Sequence, residues 1–507
     1  MADNVNPQAV IDATLALIKS SQQTPNNELA KAWTQSGSAI SGITAYDLEA
    51  GAKLLYPVIT PLRNRIPRTS GKGGIQANWR AITGVNTGNL SVGVGGGNRS
   101  GVMSSTTKDY IAAYRTIGLE DYATFEAELA AQGFDDLKAR AVEGLLRALM
   151  IGEEKVIVGG NSSVALGTTP TPTLATATTG GTIANAAAYS VICVALTFEG
   201  YQASSVSATG VIGAVTRTNA DASTDTYGGG SAQQSASATV ATTGSGTSTV
   251  SASVTPVKGA FAYAWFGGAT AGTERIAAIT TINSVVITAA PSGTNQLASA
   301  IASPSQDNSL NTFVFDGVLT QINTANSNSY IATMATGTAG TGTPLTSDTA
   351  GGIVEIDTAL KSFWDNYRLS PTDIYVSSQE MMNITKKILA ASSTAAQRFV
   401  FNSDQGMLAG GSMVRSYLNK FAMDGAVEIP VRLHPNMPSG TIMFFCDRLP
   451  YPLSNVSNVL QIRARRDYYQ IEWPLRSRKY EYGVYADEVL QNYFPPAFGM
   501  ITNIANG

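Results

Sequence analysis

Ile75-Gln76-Ala77-Asn78-Trp79-Arg80-Ala81 alternates apolar and polar side chains, the period of a β-strand. Tyr110, Ala112 and Tyr114 repeat that period as a returning strand. Between them, Gly84 to Thr107 is a glycine-rich tip that includes Gly95-Gly96-Gly97. The stretch reads as one long two-stranded excursion with little side-chain mass to bury itself. A lone hairpin is marginal in water, so this one requires a partner surface.

On its N-terminal side lies an arm of short helical pieces. Pro7 to Ser20 carries Val10, Ile11, Leu15 and Ile18 at roughly helical spacing. Thr24-Pro25-Asn26-Asn27-Glu28 resembles a helix start, with Pro tolerated in the first turn. The arm has too few large apolar residues to fold alone and is expected to dock elsewhere, on a neighbouring subunit. On the C-terminal side, residues 119–158 form the longest helical pattern. Val142, Leu145, Leu146, Leu149 and Val156 share one face. Asp136–Arg140 and Glu143–Arg147 are i,i+4 pairs with the acid first. Gly133 is expected to break or kink the start, and Gly159-Gly160 to end the helix.

Charge density then divides the chain. From Asn161 to Ala300 the charged residues are Glu199, Arg217, Asp221, Asp225, Lys258, Glu274 and Arg275. Such a shift marks an insertion or a separate domain. Tyr189 to Leu196, Phe261 to Phe266 and Thr281 to Ile287 read as strands, with a turn at Gly200-Tyr201. Short β-branched and aromatic runs punctuated by Gly and Thr predict a sandwich. Residues 306–450 return to mixed α/β. Ile353, Ile356, Leu360, Phe363, Trp364 and Tyr367 make an amphipathic helix, and Ile374-Tyr375-Val376 a short strand. Ser377-Ser378-Gln379-Glu380 reads as a capping box that opens a helix from Met381 to Ala391. Over 456–487, Leu460, Ile462 and Ala464 face one way, and Gln461, Arg463 and Arg465 the other. Ile471 and Trp473 continue a neighbouring strand, and Tyr480, Tyr482 and Val484 another.

Composition bounds the chemistry. At ~150 residues per domain, 507 residues suggest about three domains. Charged residues are 14%, against a typical ~25%, and Gly numbers 49, which argues against a coiled coil or helical repeat. The net charge of −3 gives no global pull toward nucleic acid or membrane. One His and two Cys exclude a His-rich metal site, a zinc ribbon and a multi-disulfide framework. Cys193 and Cys446 are expected to be buried free thiols. Leu15 to Ile18 is too short an apolar run for a signal peptide, and no stretch approaches the ~18 apolar residues of a membrane span. The balance favours a structural protein, made in the cytoplasm, over an enzyme.

Motifs agree. A triad would have to use His434, in the proline-flanked loop Leu433-His434-Pro435-Asn436, with no nucleophile elbow beside it. Gly93-Val94-Gly95-Gly96-Gly97-Asn98-Arg99 brushes against a dinucleotide fingerprint, but Asn98 stands at the third glycine. Gly71-Lys72 lacks the upstream glycine of a phosphate loop. The acidic residues show no metal-ligand spacing, and no cofactor is expected. Two basic clusters remain. Arg63, Arg65, Arg68 and Lys72 lead into the long loop; Arg463, Arg465, Arg466, Arg476, Arg478 and Lys479 lie on or between the C-terminal strands. They read as a solvated face, as phosphate contacts, or as inter-subunit ion pairs, and the last is ranked first. Arg63, Arg65, Arg68, Lys72, Trp79, Arg463, Arg465, Arg466 and Arg478 are the candidate inter-subunit contacts.

The order of parts resembles a known family. The residues that carry the resemblance are the loop Ile75 to Tyr114, the helix segment Gly144 to Glu154, Phe315-Asp316-Gly317-Val318-Leu319, and the ending Asp487 to Gly499. Together they look like the major capsid protein of a tailed bacteriophage with the Hong Kong 97-type (HK97-like) fold. The segment Tyr189 to Leu196 with Tyr263 to Gly267 looks like an inserted immunoglobulin-like domain. The resemblance implies an α+β chain with a set layout. That layout is an N-terminal arm (1–55), an E-loop with flanking strands (56–118), a P-domain with its spine helix (119–159), and a first part of the A-domain (160–188). The inserted all-β domain (189–302), a second part of the A-domain (303–452), and the P-domain sheet with the C-terminal segment (453–507) complete it.

The implied function is mechanical. Copies of the chain form pentamers and hexamers of an icosahedral head, assembled in the host cytoplasm, with the inserted domain projecting outward. The head encloses double-stranded DNA, contacted without sequence preference. A scaffolding protein and a portal are the expected partners, a decoration protein a further one, and no membrane is involved. Some capsids of this type form a Lys–Asn cross-link from an E-loop lysine. Lys72 and Lys108 both lie away from the glycine-rich tip, so cross-linking is not expected. Two other readings stay open: a tail protein or surface adhesin with an immunoglobulin-like domain, and a hydrolase that uses His434.

Overall fold

The computed structural model describes residues 56–85, 93–131, 136–390, 414–422, 425–451 and 454–506. The expected helices at Pro7–Ser20 and Thr24–Glu28, and Gly133, lie outside the described residues. The chain divides into two compact units. One takes in 1–59, 119–148 and 470–484; the other takes in 60–118, 149–469 and 485–507.

In the larger unit a short helix, α1 (Pro61–Arg65), begins with Pro in its first turn and leads to β1 (Arg68–Ser70). The long hairpin follows as β2 (Gln76–Val85) and β3 (Ser105–Ala113), with Trp79 opposite Tyr110 and Asn78 opposite Ile111. The alternation in sequence thus becomes two faces. Next comes β4 (Arg115–Thr124), where the sequence reading places helix from residue 119. Thr116, Ile117, Tyr122 and Thr124 are β-branched or aromatic, which favours the pleated surface. The helical pattern resolves into α2 (Phe125–Ala131) and α3 (Leu137–Gly159). At 23 residues, α3 is shorter than the helical pattern read over 119–158 and stops where Gly159-Gly160 predicts. Gly160 serves packing as well, since a Cβ there would lie 2.5 Å from the Phe315 carbonyl oxygen.

The low-charge window is all-β apart from a six-residue helix and a 3-10 turn at Ala298–Ala300. Its strands are β5 (Thr173–Ala177) and β6 (Ala186–Leu196), then, after α4 (Phe198–Ala203), β7 (Ala214–Thr218), β8 (Thr224–Gly228) and β9 (Ala238–Thr242). They continue as β10 (Thr249–Ser253), β11 (Ala262–Gly268), β12 (Arg275–Thr280) and β13 (Ser284–Ile287). The three strands read from sequence correspond to β6, β11 and β13. Gly200-Tyr201 lies inside α4 rather than in a plain turn, because the Thr197 hydroxyl accepts the Gly200 N–H at 3.2 Å and caps the helix. Two larger sheets form, ordered β13-β10-β5 and β12-β11-β6-β9, beside the two-stranded pair β7-β8. Because β5 pairs with β10, the β-rich part begins before residue 189.

The four-stranded sheet is buried on both faces. Val191, Cys193, Ala195, Tyr263 and Trp265 pack against Val250, Ala252, Val285 and Ile287 of the three-stranded sheet. Ile192, Val194, Leu196, Ala264 and Phe266 pack against Val211, Ile276, Ala298 and Ile301. This double burial explains why β6 reads as an unbroken apolar run rather than an alternation. It also adds a covering layer to the simple two-sheet sandwich read from sequence.

The remaining core is a mixed sheet. Helix α5 (Val318–Asn323) precedes β14 (Tyr330–Thr333); α6 (Val354–Tyr367), β15 (Asp373–Val376) and α7 (Ser378–Ala390) follow. After them come β16 (Ser416–Asn419), β17 (Val427–Leu433), β18 (Ile442–Phe445), β19 (Leu460–Glu472), β20 (Lys479–Asn492) and β21 (Gly499–Thr502). Six strands are ordered β14-β21-β18-β15-β17-β16, with β15 parallel to β17 and antiparallel to β18. Ile356, Leu360 and Phe363 of α6 join Ile374, Tyr375, Phe444, Phe445 and Phe498 in its core. The capping box is half formed. Ser377 Oγ accepts the Glu380 N–H at 3.3 Å, but the Glu380 carboxylate turns to the Gly440 N–H at 3.0 Å. A further sheet is ordered β1-β19-β20-β4.

In the smaller unit Phe125 packs on Tyr480 with ring centroids 4.7 Å apart, and the Lys138 ammonium lies 3.6 Å over that ring. Asp136 caps α3 by accepting the N–H groups of Lys138 and Ala139, each at 3.1 Å. The Glu143–Arg147 pair forms as the spacing predicts.

Candidate assembly surface

The hairpin presents two unlike faces. Ala77, Trp79 and Ala81, opposite Ala112, Tyr110 and Lys108, form one of them. Trp79 stacks on Tyr110 with ring centroids 5.7 Å apart, and both line a recess of about 330 Å³ with Phe315, Gln321 and Leu490. Asn78, Arg80 and Ile82, opposite Ile111, Asp109 and Thr107, form the other. Arg80 and Asp109 pair across the strands at 2.6 Å, fully in solvent. Ile111 is 69% exposed, Ile82 68%, and at the tip Val102 is 93% exposed. Apolar side chains spread along a two-stranded ribbon are what the sequence reading expects of a segment that its own chain does not bury.

The root of the hairpin is held by ion pairs within the chain. Arg63 donates from Nε to Glu153 Oε2 at 2.8 Å and shares the Tyr468 hydroxyl. Arg65 meets Asp373 at 2.5 Å and Asp447 at 3.0 Å. Arg68 reaches Glu153 at 2.5 Å, Glu488 at 2.5 Å and Asp467 at 2.8 Å. Glu153, Glu154, Asp373 and Glu488 are all fully buried. Isolated, such carboxylates would carry a large desolvation cost; here each faces a guanidinium or backbone N–H groups. Burial works against the charge of Arg65 and Arg68, but their acid partners outweigh it and hold both above the ordinary arginine range.

Glu154 has a separate role. It accepts the backbone N–H of Leu62 at 3.0 Å and of Arg63 at 2.7 Å, capping α1, and receives His434 Nε2 at 2.6 Å. His434 is buried and structural. It ties α1 to the loop after β17, and no exposed nitrogen is left for catalysis.

The other expected contacts fall elsewhere. Arg465 pairs with Asp487 and donates to the Gly74 carbonyl at 2.9 Å. Arg466 lies 3.9 Å over the Tyr469 ring. Arg463 is half-buried, and Lys72 is exposed in the loop after β1. In the smaller unit Arg478 meets Glu126 at 2.7 Å, and both side chains are mostly in solvent. So the structure brings Arg63, Arg65 and Arg68 together around acids of their own chain, and Lys72, Arg466 and Arg478 remain at the surface.

Sequence reasoning missed Glu153, Glu154, Asp373 and Glu488. A signal was present: Glu153-Glu154 interrupts the apolar run Leu149-Met150-Ile151 and Val156-Ile157-Val158. Two acids inside a buried helix face require partners. Both cysteines are buried free thiols, and burial pushes Cys446 up to about 12. Among the described residues no group of three or more His, Cys, Asp or Glu is placed to hold a metal ion, and no helix is long and apolar enough to cross a membrane.

No family model matches the sequence. No curated protein matches it either. Among solved structures, the chain is similar to the capsid of the native GTA particle, at 8% identity over 91% of this chain and 96% of that one, with a TM-score of 0.39. It is similar to the capsid of the cyanophage P-SCSP1u, at 9% identity over 92% and 94%, with a TM-score of 0.38. The capsid of Myoviridae phage XM1 gives 9% identity over 90% and 95%, also with a TM-score of 0.38.

Proposed function

We propose that this chain is a shell-forming structural protein, a phage major capsid protein of the HK97-like kind, and not an enzyme. The observation that carries the reading is the long hairpin 76–113. Its outer face and tip expose Ile82, Ile111 and Val102, while its root is fixed by buried ion pairs. A rigid base with an apolar, unburied ribbon is suited to lie on another copy. In this reading copies join through heterologous contacts into pentamers and hexamers, which close into an icosahedral head around double-stranded DNA. The β-rich part projects outward. Among the candidate contacts Lys72, Arg466 and Arg478 lie at the surface, and Arg478 would exchange or share its pairing with Glu126 when it meets an acid of a neighbouring subunit. A scaffolding protein guides closure, a portal occupies one vertex, and a decoration protein binds the outer surface.

His434 favours this reading over the hydrolase, because both of its ring nitrogens are occupied by structural partners. Electron microscopy of the protein, with light scattering for mass, is the test. Closed shells with capsomers are expected. Rods would replace the reading with a tail protein, and hydrolytic activity lost on H434A would replace it with the enzyme.

A further inference from the structure

Glu153 and Glu488 are both fully buried, and both lie on one side chain. Arg68 donates from one terminal nitrogen to Glu153 Oε1 and from the other to Glu488 Oε2, each at 2.5 Å. Glu153 is further supplied by Arg63 and by the Tyr468 hydroxyl. Among the described residues Arg68 is the one cation paired with Glu488, and Arg68 is also shared with Asp467. Oε1 of Glu488 is buried and has no hydrogen-bond partner among the described residues, and the two terminal nitrogens of Arg68 hold its carboxyl beside that of Glu153. An acceptor that water cannot touch, facing a second carboxyl, is satisfied by a proton.

We propose that Glu153 and Glu488 hold one proton between them, carried by Glu488, and that this proton fastens the root of the long hairpin through Arg68. The groups around it are Arg63 of α1, Arg68 of β1, Glu153 and Glu154 of α3, and Asp467 and Tyr468 of β19. Glu154 faces His434 and the N-terminus of α1, not Glu488. Asp487, the strand neighbour of Glu488, engages Arg465 and Thr116 instead. Burial, and after it the charge of Glu153, pushes the Glu488 carboxyl well above the usual carboxylate range, in line with the geometry.

The proton has a local consequence. Strand β1 is short: it pairs with β19 over Arg68 to Ser70, with one flanking backbone bond at Pro67 and one at Gly71. When this segment opens, Glu488 meets water and releases the proton. Opening therefore becomes easier as pH rises from the ordinary carboxylate range toward the raised value, by about tenfold per pH unit for one proton.

Hydrogen exchange of the full-length protein, corrected for the intrinsic rate, reads this directly at residues 66–71 between pH 6 and pH 8. Wild type is expected to lose protection there by about tenfold per pH unit. E488Q keeps the hydrogen bond to Glu153 without a titrating proton and is expected to show no such slope. Parallel slopes in wild type and E488Q would overturn the proposal. The infrared spectrum of wild type supplies an independent check. Because Glu199 and Glu380 are also pushed up to about 7 by burial, the reading is the wild-type-minus-E153Q difference spectrum. A positive protonated-carboxyl band is expected in that difference, since without the charge of Glu153 the Glu488 carboxyl ionises on Arg68. A flat difference in this region between pH 6 and pH 8 would also overturn it.

Discussion

The backbone N–H of Asn436 donates to Nδ1 of His434 at 3.1 Å. That bond fixes the ring proton on Nε2, where it faces buried Glu154. The histidine is thereby a neutral donor in a capping arrangement. His434→Ala strips Glu154 of one donor inside the protein, and a loss of about 2–4 kcal/mol is expected, within the range for breaking a buried charged hydrogen bond. His434→Gln, which offers an amide N–H, is expected to recover part of it. Urea unfolding of the three proteins decides the matter; equal midpoints would show that Glu154 does not depend on the ring.

Gly317 is a packing position. A Cβ there would stand 2.4 Å from the Val156 carbonyl oxygen, 2.6 Å from the Gly159 nitrogen and 2.8 Å from the Gly160 nitrogen. All three are backbone atoms, so no side chain can swing aside. Gly317→Ala is expected to cost about 3 kcal/mol or more through overpacking. Gly293→Ala, with nothing within 4 Å of the added methyl, is the matched control and should be near neutral. Thermal midpoints of the two variants make the comparison.

The exposed hairpin face should separate stability from association. Val102 and Ile111 lie in solvent, so Val102→Asp and Ile111→Asp are expected to leave the unfolding midpoint within about 0.5 kcal/mol of wild type. If this face lies on another copy, each loses roughly 1.5–3 kcal/mol of apolar burial and gains a buried charge. Self-association measured by light scattering should then fall at least tenfold. Unchanged association with both substitutions would place the contact surface elsewhere.

Much of the layout was legible because it rests on local period. The alternation around Trp79, the apolar face of α3, the amphipathic α6 and the β-branched runs at 189–196 and 261–266 each fold as read. What was not legible depends on long-range partners. The second covered face of β6 comes from Val211, Ala298 and Ile301, which carry no strand period. Arg63, Arg65 and Arg68 read first as inter-subunit contacts because their acids lie up to 420 residues away in sequence. The start of β4 at Arg115 was hidden because a strand runs into a helix at Thr124–Phe125 without a glycine or proline between them.

Glu380 makes the stability of the α7 region depend on pH. It is fully buried, accepts the Gly440 N–H at 3.0 Å and is contacted by Asn383. Burial pushes its carboxyl up to about 7, against the opposing help of those two donors. The folded state therefore keeps a proton that the unfolded chain releases above its ordinary value near 4.5. Protons bound are fewer in the unfolded state across this window, so stability falls as pH rises from about 4.5 to about 7, by roughly 1.4 kcal/mol per pH unit for this one group. Above that window the contribution is level. Glu199, also pushed to about 7 by burial with Asn311 as its donor, adds a slope of the same sign. Denaturant unfolding at pH 5 and pH 7 should show E380Q losing less stability than wild type over that interval, since Gln keeps the acceptor for Gly440 and has no proton to release. A variant with the wild-type slope would mean that Glu380 stays ionised in the fold, held by Gly440 and Asn383 alone.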